Sequence, residues 1–385
     1  MATLTVPVIA NIPFNRCIAV GRELEYVQQA LASGILAGDG RFTRACHAWL
    51  RQHLGVPGAL LTTSGTHALE MAALLLDIHE GDEVIVPSFT FVSTINAFVI
   101  RGARPVFADI RPDTLNLDEQ LIPALITPRT KAIVVVHYAG VGCEMDTILA
   151  IANRAGIPVI EDNAHGLFGR YKGRYLGTLG VMAAQSFHET KNIACGEGGA
   201  LLLNDSSLLE RAEILREKGT NRSQFFRGQI DKYNWVDVGS SYLPSELNAA
   251  FLLAQLEACD IIQSRRKRTW ETYRAELAAW AASNDVRLPP VPGYCEHPYH
   301  MFYLLMPSLE RRQAFIGHMK ERGITTPFHY VPLHSSPMGQ RHGGRPGDCP
   351  VTERISDQLV RLPLFNTMSD EQLNQVMEAA IEFRV

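Results

Sequence analysis

Between residues 59 and 162, short apolar runs rich in Val, Ile and Leu alternate with helical patterns, and no other feature of the 385-residue sequence narrows the fold as much. The run from Ala59 begins as a buried strand, turns at Ser64-Gly65-Thr66 and continues as an apolar helix over 67–76. Further strands are expected over 82–87, 104–109, 132–137 and 157–162. Helices are expected through Val99, over 118–126 and over 145–155. Such an order builds a parallel sheet with helices on both faces. The unbroken apolarity from Ala132 to Val136 suits a strand buried on both sides. The expected fold class is α/β, with a large, doubly wound, mostly parallel sheet.

On the N-terminal side, residues 1–20, with Pro7 and Pro13, predict an extended arm. A helical pattern follows over 21–33, with Leu24, Val27 and Leu31 on one side, and another over 42–54 with Trp49 and Leu50 on its apolar side. The apolar run 181–187 is too short to type by periodicity, whereas 199–203 has strand character. After Pro244 a long helical pattern, 245 to about 282, carries Arg265-Arg266-Lys267-Arg268, which reads as a solvated helix face. Leu288–Gly293 breaks the chain. A strand over 301–306, a helix over 310–322, a strand over 324–330 and a closing helix over 369–383 complete it. Two domains are expected: residues 1–245, a large domain with its N-terminal arm, and residues 246–385, a connecting helix with a smaller α+β domain.

The formal charge of −4 implies no basic surface for nucleic acid and no polybasic membrane patch. The cysteines are scattered and odd in number, with no C-x-x-C pair, a pattern of reduced thiols. The chain starts without a charged segment leading into an apolar one, and no apolar run approaches ~18 residues. A soluble, cytoplasmic protein is expected. His297 with His300, or His329 with His334, have metal-compatible spacing, but structural or substrate-facing roles are commoner, so no metal is assigned.

Lys191 lies in a polar, glycine-rich turn between two apolar runs. It can be an ordinary surface charge. It can also be a pocket amine whose desolvation lowers its pKa from roughly 10.4 and makes it a nucleophile toward a carbonyl, as in pyridoxal phosphate enzymes. Asp162 ends an apolar strand, where open α/β sheets meet ligands. A carboxylate there can face the ring nitrogen of that cofactor, and His165, three residues on, its phenolic oxygen; a turn cap and a structural histidine are the plainer options. The helix start at 64–66 can be a simple N-cap or an anion site. Phe89, just past a strand end, can be core or can stack on a flat ligand.

Taken in order, Ser64-Gly-Thr66, Pro87-Ser-Phe-Thr-Phe91, Glu161-Asp-Asn-Ala164, Ser186-Phe-His-Glu-Thr-Lys-Asn192, Gly196-Glu-Gly-Gly199 and the specific stretch Glu217–Gly228 resemble the DegT/DnrJ/EryC1/StrS sugar aminotransferase family, over nearly the whole chain. The resemblance implies an aspartate-aminotransferase type fold (fold type I), pyridoxal 5'-phosphate as cofactor and a homodimer with shared active sites. It implies a catalytic Lys191, which binds the cofactor and later carries the proton, and Asp162 on the ring nitrogen. His165 would face the phenolic oxygen, where relatives often carry Gln, with a tautomer sensitive to pH. Gly65, Thr66 and Ser186 would hold the phosphate and Phe89 would stack on the ring. Ser241 stands where many members place an Asn from the neighbouring subunit. His329, Tyr330, Lys232 and Tyr233 would face substrate. The reaction implied is transfer of an amino group from L-glutamate to the 4-keto carbon of a nucleotide-linked 4-keto-6-deoxyhexose, dTDP-4-keto-6-deoxyglucose giving dTDP-4-amino-4,6-dideoxygalactose. GDP or UDP sugars, or amination at C3, are the near alternatives. A dehydratase of the same fold would carry His in place of Lys191. A nicotinamide-dependent sugar oxidoreductase would need a third glycine after Gly140-Val-Gly142, which is absent. A non-catalytic regulator would need no such lysine.

Overall fold

A computed structural model describes residues 11–384. Twelve strands occur among them: β1 (Gly58–Thr62), β2 (Glu83–Pro87), β3 (Arg104–Ala108), β4 (Thr130–Val136), β5 (Val159–Asp162), β6 (Arg170–Tyr171), β7 (Arg174–Tyr175), β8 (Met182–Ser186), β9 (Gly199–Leu203), β10 (Cys295–Glu296), β11 (Phe302–Leu305) and β12 (Leu359–Leu362). Seven form one sheet in the order β1-β9-β8-β5-β4-β2-β3. β9 alone runs against its neighbours, antiparallel to both β1 and β8, and the remaining pairs are parallel. This is the doubly wound, mostly parallel α/β sheet that the strand–helix alternation predicts.

Side chains alternate across the sheet with the period of two that a pleated strand imposes. Val84, Val86, Leu201 and Leu203 meet Leu69, Ala72 and Phe98 of the helices Gly65–Leu75 and Ser93–Val99 on one face. On the other face Ile85, Ile133, Val135 and Val159 pack on Ile148 and Ala152 of Met145–Ala155. Ala200 and Leu202 pack toward the helices Arg41–Leu54 and Glu246–Glu257. Both faces of β4 are thus buried. β11 and β12 pair antiparallel under the helices Leu309–Glu321 and Asp370–Glu382, around Trp270, Tyr273, Phe302, Leu304 and Phe315. The last helix starts where its sequence says it should, because Ser369 and Gln372 form a reciprocal capping box.

Several expectations are corrected. The helix predicted over 118–126 is confined to Ile122–Leu125, with a proline in its first turn, the position where its missing N–H costs no intrahelical bond, and it ends at Ile126 in extended backbone. The long helix predicted from 245 breaks at Ala258 and again at Leu277. The break serves packing: Glu246–Glu257 lies on the two N-terminal helices, while Cys259–Glu276 turns Trp270 and Tyr273 into the C-terminal core. Residues 324–330 make only isolated bridges, Ile324 to Ile12 and Phe328 to Val360, and the strand that pairs with β11 is β12 instead.

Arg266, read as part of a solvated face, is buried. Its guanidinium donates to the carbonyls of Tyr299 (3.0 Å) and His300 (2.5 Å) and to Asn366 Oδ1 (3.3 Å), and burial lowers its pKa to about 9. In the helix Glu23–Ala32 the buried face is Glu23, Tyr26 and Ala30, leaving Leu24 71% and Leu31 54% exposed. Glu23 accepts from the N–H groups of Val20 and Gly21 and from Gln255 Nε2, and Tyr26 donates to Glu257 at 2.7 Å. Those polar anchors set the helix's rotation against its apolar periodicity. The expected arm over 1–20 lies partly outside the described residues; in its described part Ile12 is buried. The seven cysteines are free, and no helix among the described residues is long and apolar enough to cross a membrane.

Candidate active site

Parallel strands point their C-terminal ends to one edge of the sheet, and the loops leaving that edge converge on a cavity of about 590 Å³. Ser64, Gly65 and Thr66 arrive from β1, and Thr90, Phe91 and Ser93 from β2. Val136 comes from β4, Asp162, Ala164 and His165 from β5, and Ser186, His188 and Lys191 from β8. Register sets the floor, since Val136, Asp162 and Ala184 are aligned partners across three adjacent strands. The opposite wall comes from the C-terminal part: His300, Met301, His329, Tyr330 and Arg361.

Lys191 is held inward by a closed loop. Phe187 N–H donates to the Gly198 carbonyl, Cys195 N–H to that of Phe187, Glu189 N–H to that of Gly196 and Lys191 N–H to that of His188. Its neighbour Asn192 ties this loop to the opposite wall. Asn192 Nδ2 donates to Pro298 O at 2.6 Å and its Oδ1 meets His300 Nδ1 at 2.9 Å. The hairpin needs glycine at 199, because a Cβ there would lie 2.3 Å from the carbonyl carbon of Ser64. That close approach brings the start of the helix Gly65–Leu75 beside the end of β8, where Gly65 and Ser186 adjoin.

Desolvation dominates the electrostatics. Burial lowers the pKa of Lys191 to about 8, with the Asp162 carboxylate opposing the fall and Arg361 adding to it. Burial raises the pKa of Asp162, against the Thr94 hydroxyl, the Ala164 N–H and Lys191. Thr94 donates to Asp162 Oδ2 at 2.7 Å, and Ala164 N–H to Oδ1 at 3.2 Å. Because Thr94's proton is committed to the acid, Thr90, 2.7 Å from it, must donate to Thr94. The chain Thr90–Thr94–Asp162 therefore fixes the carboxylate's orientation. Asp162 and Lys191 act on each other's charge and line one cavity.

His165, His300 and His329 share the wall, and burial pushes all three well below the usual histidine range. The rings of His165 and His300 stack 4.4 Å apart at 18°. His165 Nδ1 accepts from Ala139 N–H at 3.4 Å, which leaves the proton on Nε2, 3.5 Å from the Tyr330 hydroxyl. The expected pH-sensitive tautomer at His165 is thereby corrected: burial holds the ring neutral and a backbone N–H selects its tautomer.

Of the residues singled out in the sequence, Gly65, Thr66, Asp162, His165, Ser186, Lys191, His329 and Tyr330 line the cavity. Phe89 does not. It is 1% exposed, packed 5.1 Å from Tyr138 and 5.7 Å from Tyr330, and the ring that opens on the cavity is Phe91. The strand ends at Pro87, so its period does not carry on to choose between the two phenylalanines. Ser241, Lys232 and Tyr233 lie outside the cavity of their own chain; Ser241 and Lys232 are exposed and Tyr233 packs beside Phe225. Thr94 and Arg361 were given no role in the sequence, since no local motif marks them, and His300 was noted only for its spacing to His297. Among the described residues no group of three His, Cys, Asp or Glu side chains could hold a metal ion.

The fold and this strand-end site define the class: an α/β protein of the aspartate-aminotransferase type. More particularly, the chain belongs to the DegT/DnrJ/EryC1/StrS aminotransferase family, whose model matches residues 18–381. It is 33% identical over 375 residues to the uncharacterized protein MJ1066 of Methanocaldococcus jannaschii, covering 95% of this chain and 96% of that one. Among solved structures it is similar to the aminotransferase TlmJ from Streptoalloteichus hindustanus, with a TM-score of 0.87, 31% identity, and 96% and 97% of the two chains covered. It is likewise similar to Spr1654 from Streptococcus pneumoniae in its PMP form, with a TM-score of 0.89, 26% identity, and 96% and 98% covered. That protein is also known in a PLP form.

Proposed function

We propose that this aminotransferase uses pyridoxal 5'-phosphate to move an amino group from L-glutamate to the 4-keto carbon of dTDP-4-keto-6-deoxyglucose, giving dTDP-4-amino-4,6-dideoxygalactose. The carrying observation is the joint placement of Lys191 and Asp162 in one cavity, with an amine whose pKa is near 8. The donor set fits the cofactor: an acid on the floor, a desolvated lysine, the Thr66 and Ser186 hydroxyls beside a helix N-terminus, and the Phe91 ring at the wall. When bound, the cofactor supplies an electron sink for charge developing on a substrate carbon.

Asp162, oriented by Thr94, presents a carboxylate to a protonated ring nitrogen. Lys191 is the base that takes a proton from the substrate carbon and returns it, a task suited to a pKa near ambient pH. Neutral His165 offers its Nε2–H as a donor. The C-terminal wall, with His329 and Tyr330, covers the side of the cavity facing Asp162 and limits water access. On this reading a second copy of the chain covers the exposed apolar residues Leu24, Leu31 and Trp235, and Ser241, Lys232 and Tyr233 serve the other copy's site. Sedimentation at micromolar concentration then gives a dimer.

The direct test is incubation of the holoenzyme with dTDP-4-keto-6-deoxyglucose and L-glutamate. The expected product is the 4-amino sugar; turnover only with GDP- or UDP-linked ketosugars, or amination at C3, would reassign the substrate.

Two consequences are open to measurement. In cofactor-free protein, Lys191 should acquire acetyl groups from acetic anhydride along a pH curve centred near 8, while exposed lysines follow one near ~10.4. A curve for Lys191 that coincides with the others would contradict its desolvation. Thr94→Val removes a hydrogen bond to the charged form of Asp162, so the acid's pKa rises further. Such bonds are worth ~1.5–3 kcal/mol, so turnover should fall about 10-fold or more. Unchanged turnover in that variant would show that the threonine does not tune the acid.

A further inference from the structure

His300 reaches the cavity wall from the loop before β11, and its backbone is gripped from the helix Cys259–Glu276, where the buried Arg266 donates to the carbonyls of Tyr299 and His300. The tautomer of its ring follows from the neighbours. Gln263 Nε2 donates to Pro298 O at 3.1 Å, which leaves Gln263 Oε1 as an acceptor. Asn192 Nδ2 spends its hydrogens on that oxygen (3.0 Å) and on Pro298 O (2.6 Å). Asn192 Oδ1 can only accept, so His300 Nδ1–H donates the bond at 2.9 Å and the ring's lone pair is on Nε2. Unlike Nε2 of His297, this nitrogen is not sealed away, and it opens on the cavity that His300 lines. The other two histidines of the wall carry the opposite tautomer. His165 Nδ1 accepts from Ala139 N–H. His329 Nδ1 lies 3.0 Å from the hydroxyl of Tyr138, a buried phenol whose raised pKa keeps its proton to donate. Of the three, His300 alone turns a bare nitrogen to the cavity.

We infer that His300 is a positioning residue for Lys191: its Nε2 accepts a hydrogen bond from the lysine ammonium and aims the amine at the substrate carbon between proton transfers. The inference rests on the aminotransferase reading and adds to it the partner of the base. An ammonium offers three N–H groups and no lone pair, so in a desolvated site it needs acceptors. Burial, Asp162 and Arg361 shape the charge of Lys191, and no hydrogen bond is among the causes. Both oxygens of Asp162 are already engaged, by the Thr94 hydroxyl and by Ala164 N–H. Burial and the His165 ring are the larger influences on His300, and the charge of Lys191 comes next, so the two groups are close. No proton passes between them. Burial holds the imidazole well below the usual histidine range, whereas Lys191 titrates near 8, so the proton taken from the substrate carbon stays on the lysine. Asn192 directly follows Lys191, and its one side chain fixes both the acceptor's tautomer and the loop that carries the donor.

The test uses full-length, cofactor-free protein first. Long-range proton–nitrogen NMR of wild type carrying isotope-labelled histidine, with the His300 signals identified by their loss in His300→Gln, should show His300 protonated on Nδ1 and His165 on Nε2. The His300 Nε2 signal should move through a midpoint near 8 as the ammonium it accepts from is lost. A His300 proton on Nε2, or an Nε2 signal that stays flat through that range, overturns the inference. Acetylation of Lys191 reads the same contact from the other side. The other titratable and charged groups that share the cavity, Asp162, His165, His188, Glu197, His329, Tyr330 and Arg361, are kept in every variant. Losing an acceptor for the charged form lowers a lysine pKa, so the curve of His300→Phe should fall ~1 pH unit or more below that of wild type. His300→Gln, which sets an amide oxygen near the place of Nε2, should recover most of that shift. Coincident curves for wild type and His300→Phe overturn the assignment. In the holoenzyme His300→Phe should lower kcat ~10-fold with KM for both substrates held, as for a group that aims the base rather than binds substrate. If His300→Phe does not fold, the wild-type NMR titration carries the test. Wild-type holoenzyme that transfers no amino group removes the aminotransferase reading itself, whereas a flat Nε2 titration with normal turnover removes only the role of His300.

Discussion

Lys191→Ala should lower amino transfer by at least about 10³-fold, because one substitution removes both the group that attacks a carbonyl and the base that carries the proton. The chain should still fold. Replacing a desolvated amine by a methyl group takes a charge out of a low-dielectric site, which is rarely costly to stability. The visible absorbance of bound cofactor should change in the same variant, so that chemistry and folding are read separately. Retention of a tenth or more of wild-type turnover, with the variant properly folded, would leave Lys191 without its role.

Glu161→Ala should be the most destabilising substitution near the site, although Glu161 touches no cavity. It alternates with Asp162 along β5 and points to the other face, where it is fully buried. Its Oε1 accepts from the N–H groups of Leu179 (2.7 Å) and Gly180 (2.6 Å), and its Oε2 from Gly177 (2.7 Å) and His137 Nε2 (2.8 Å). Removing the carboxylate strands three backbone donors and an imidazole in a dry interior, at a cost of about 3–5 kcal/mol. Urea unfolding of the cofactor-free variant should show the loss in the midpoint. A shift worth less than ~1 kcal/mol would mean that water replaces the carboxylate, which the full burial of the site argues against. The carboxylate also pins 177–180, the segment that delivers the chain to β8 and so to Lys191.

How far the site could be read in advance depended on distance along the chain. Asp162 and Lys191 were accessible because each directly follows a recognisable apolar run, and a parallel sheet sends the ends of such runs to one edge. The same logic found Ser64-Gly65-Thr66 and Ser186. It misplaced the aromatic by two residues, because beyond Pro87 the backbone leaves the strand and its period no longer says which ring turns inward. Arg361 was not marked at all, and His300 only by its spacing to His297, for a different reason. They come from the C-terminal part, and only the Asn192–His300 contact and the packing of β12 bring them opposite Lys191. Arg266 was misjudged since four successive basic residues cannot all face water on a helix that is packed on one side.

Residue order alone was enough for the layered α/β architecture, the parallel sheet and the edge at which chemistry would gather. Hydrophobic periodicity and strand–helix alternation act locally and survive in any context that buries them. Which cation meets the reacting amine, which ring faces the ligand, which tautomer His165 holds and where Lys191 titrates were decided by contacts between separate segments, some 26 residues apart and others more than a hundred. Burial is the common cause: it sets those pKa values, and it exists only once the distant walls have closed around the cavity.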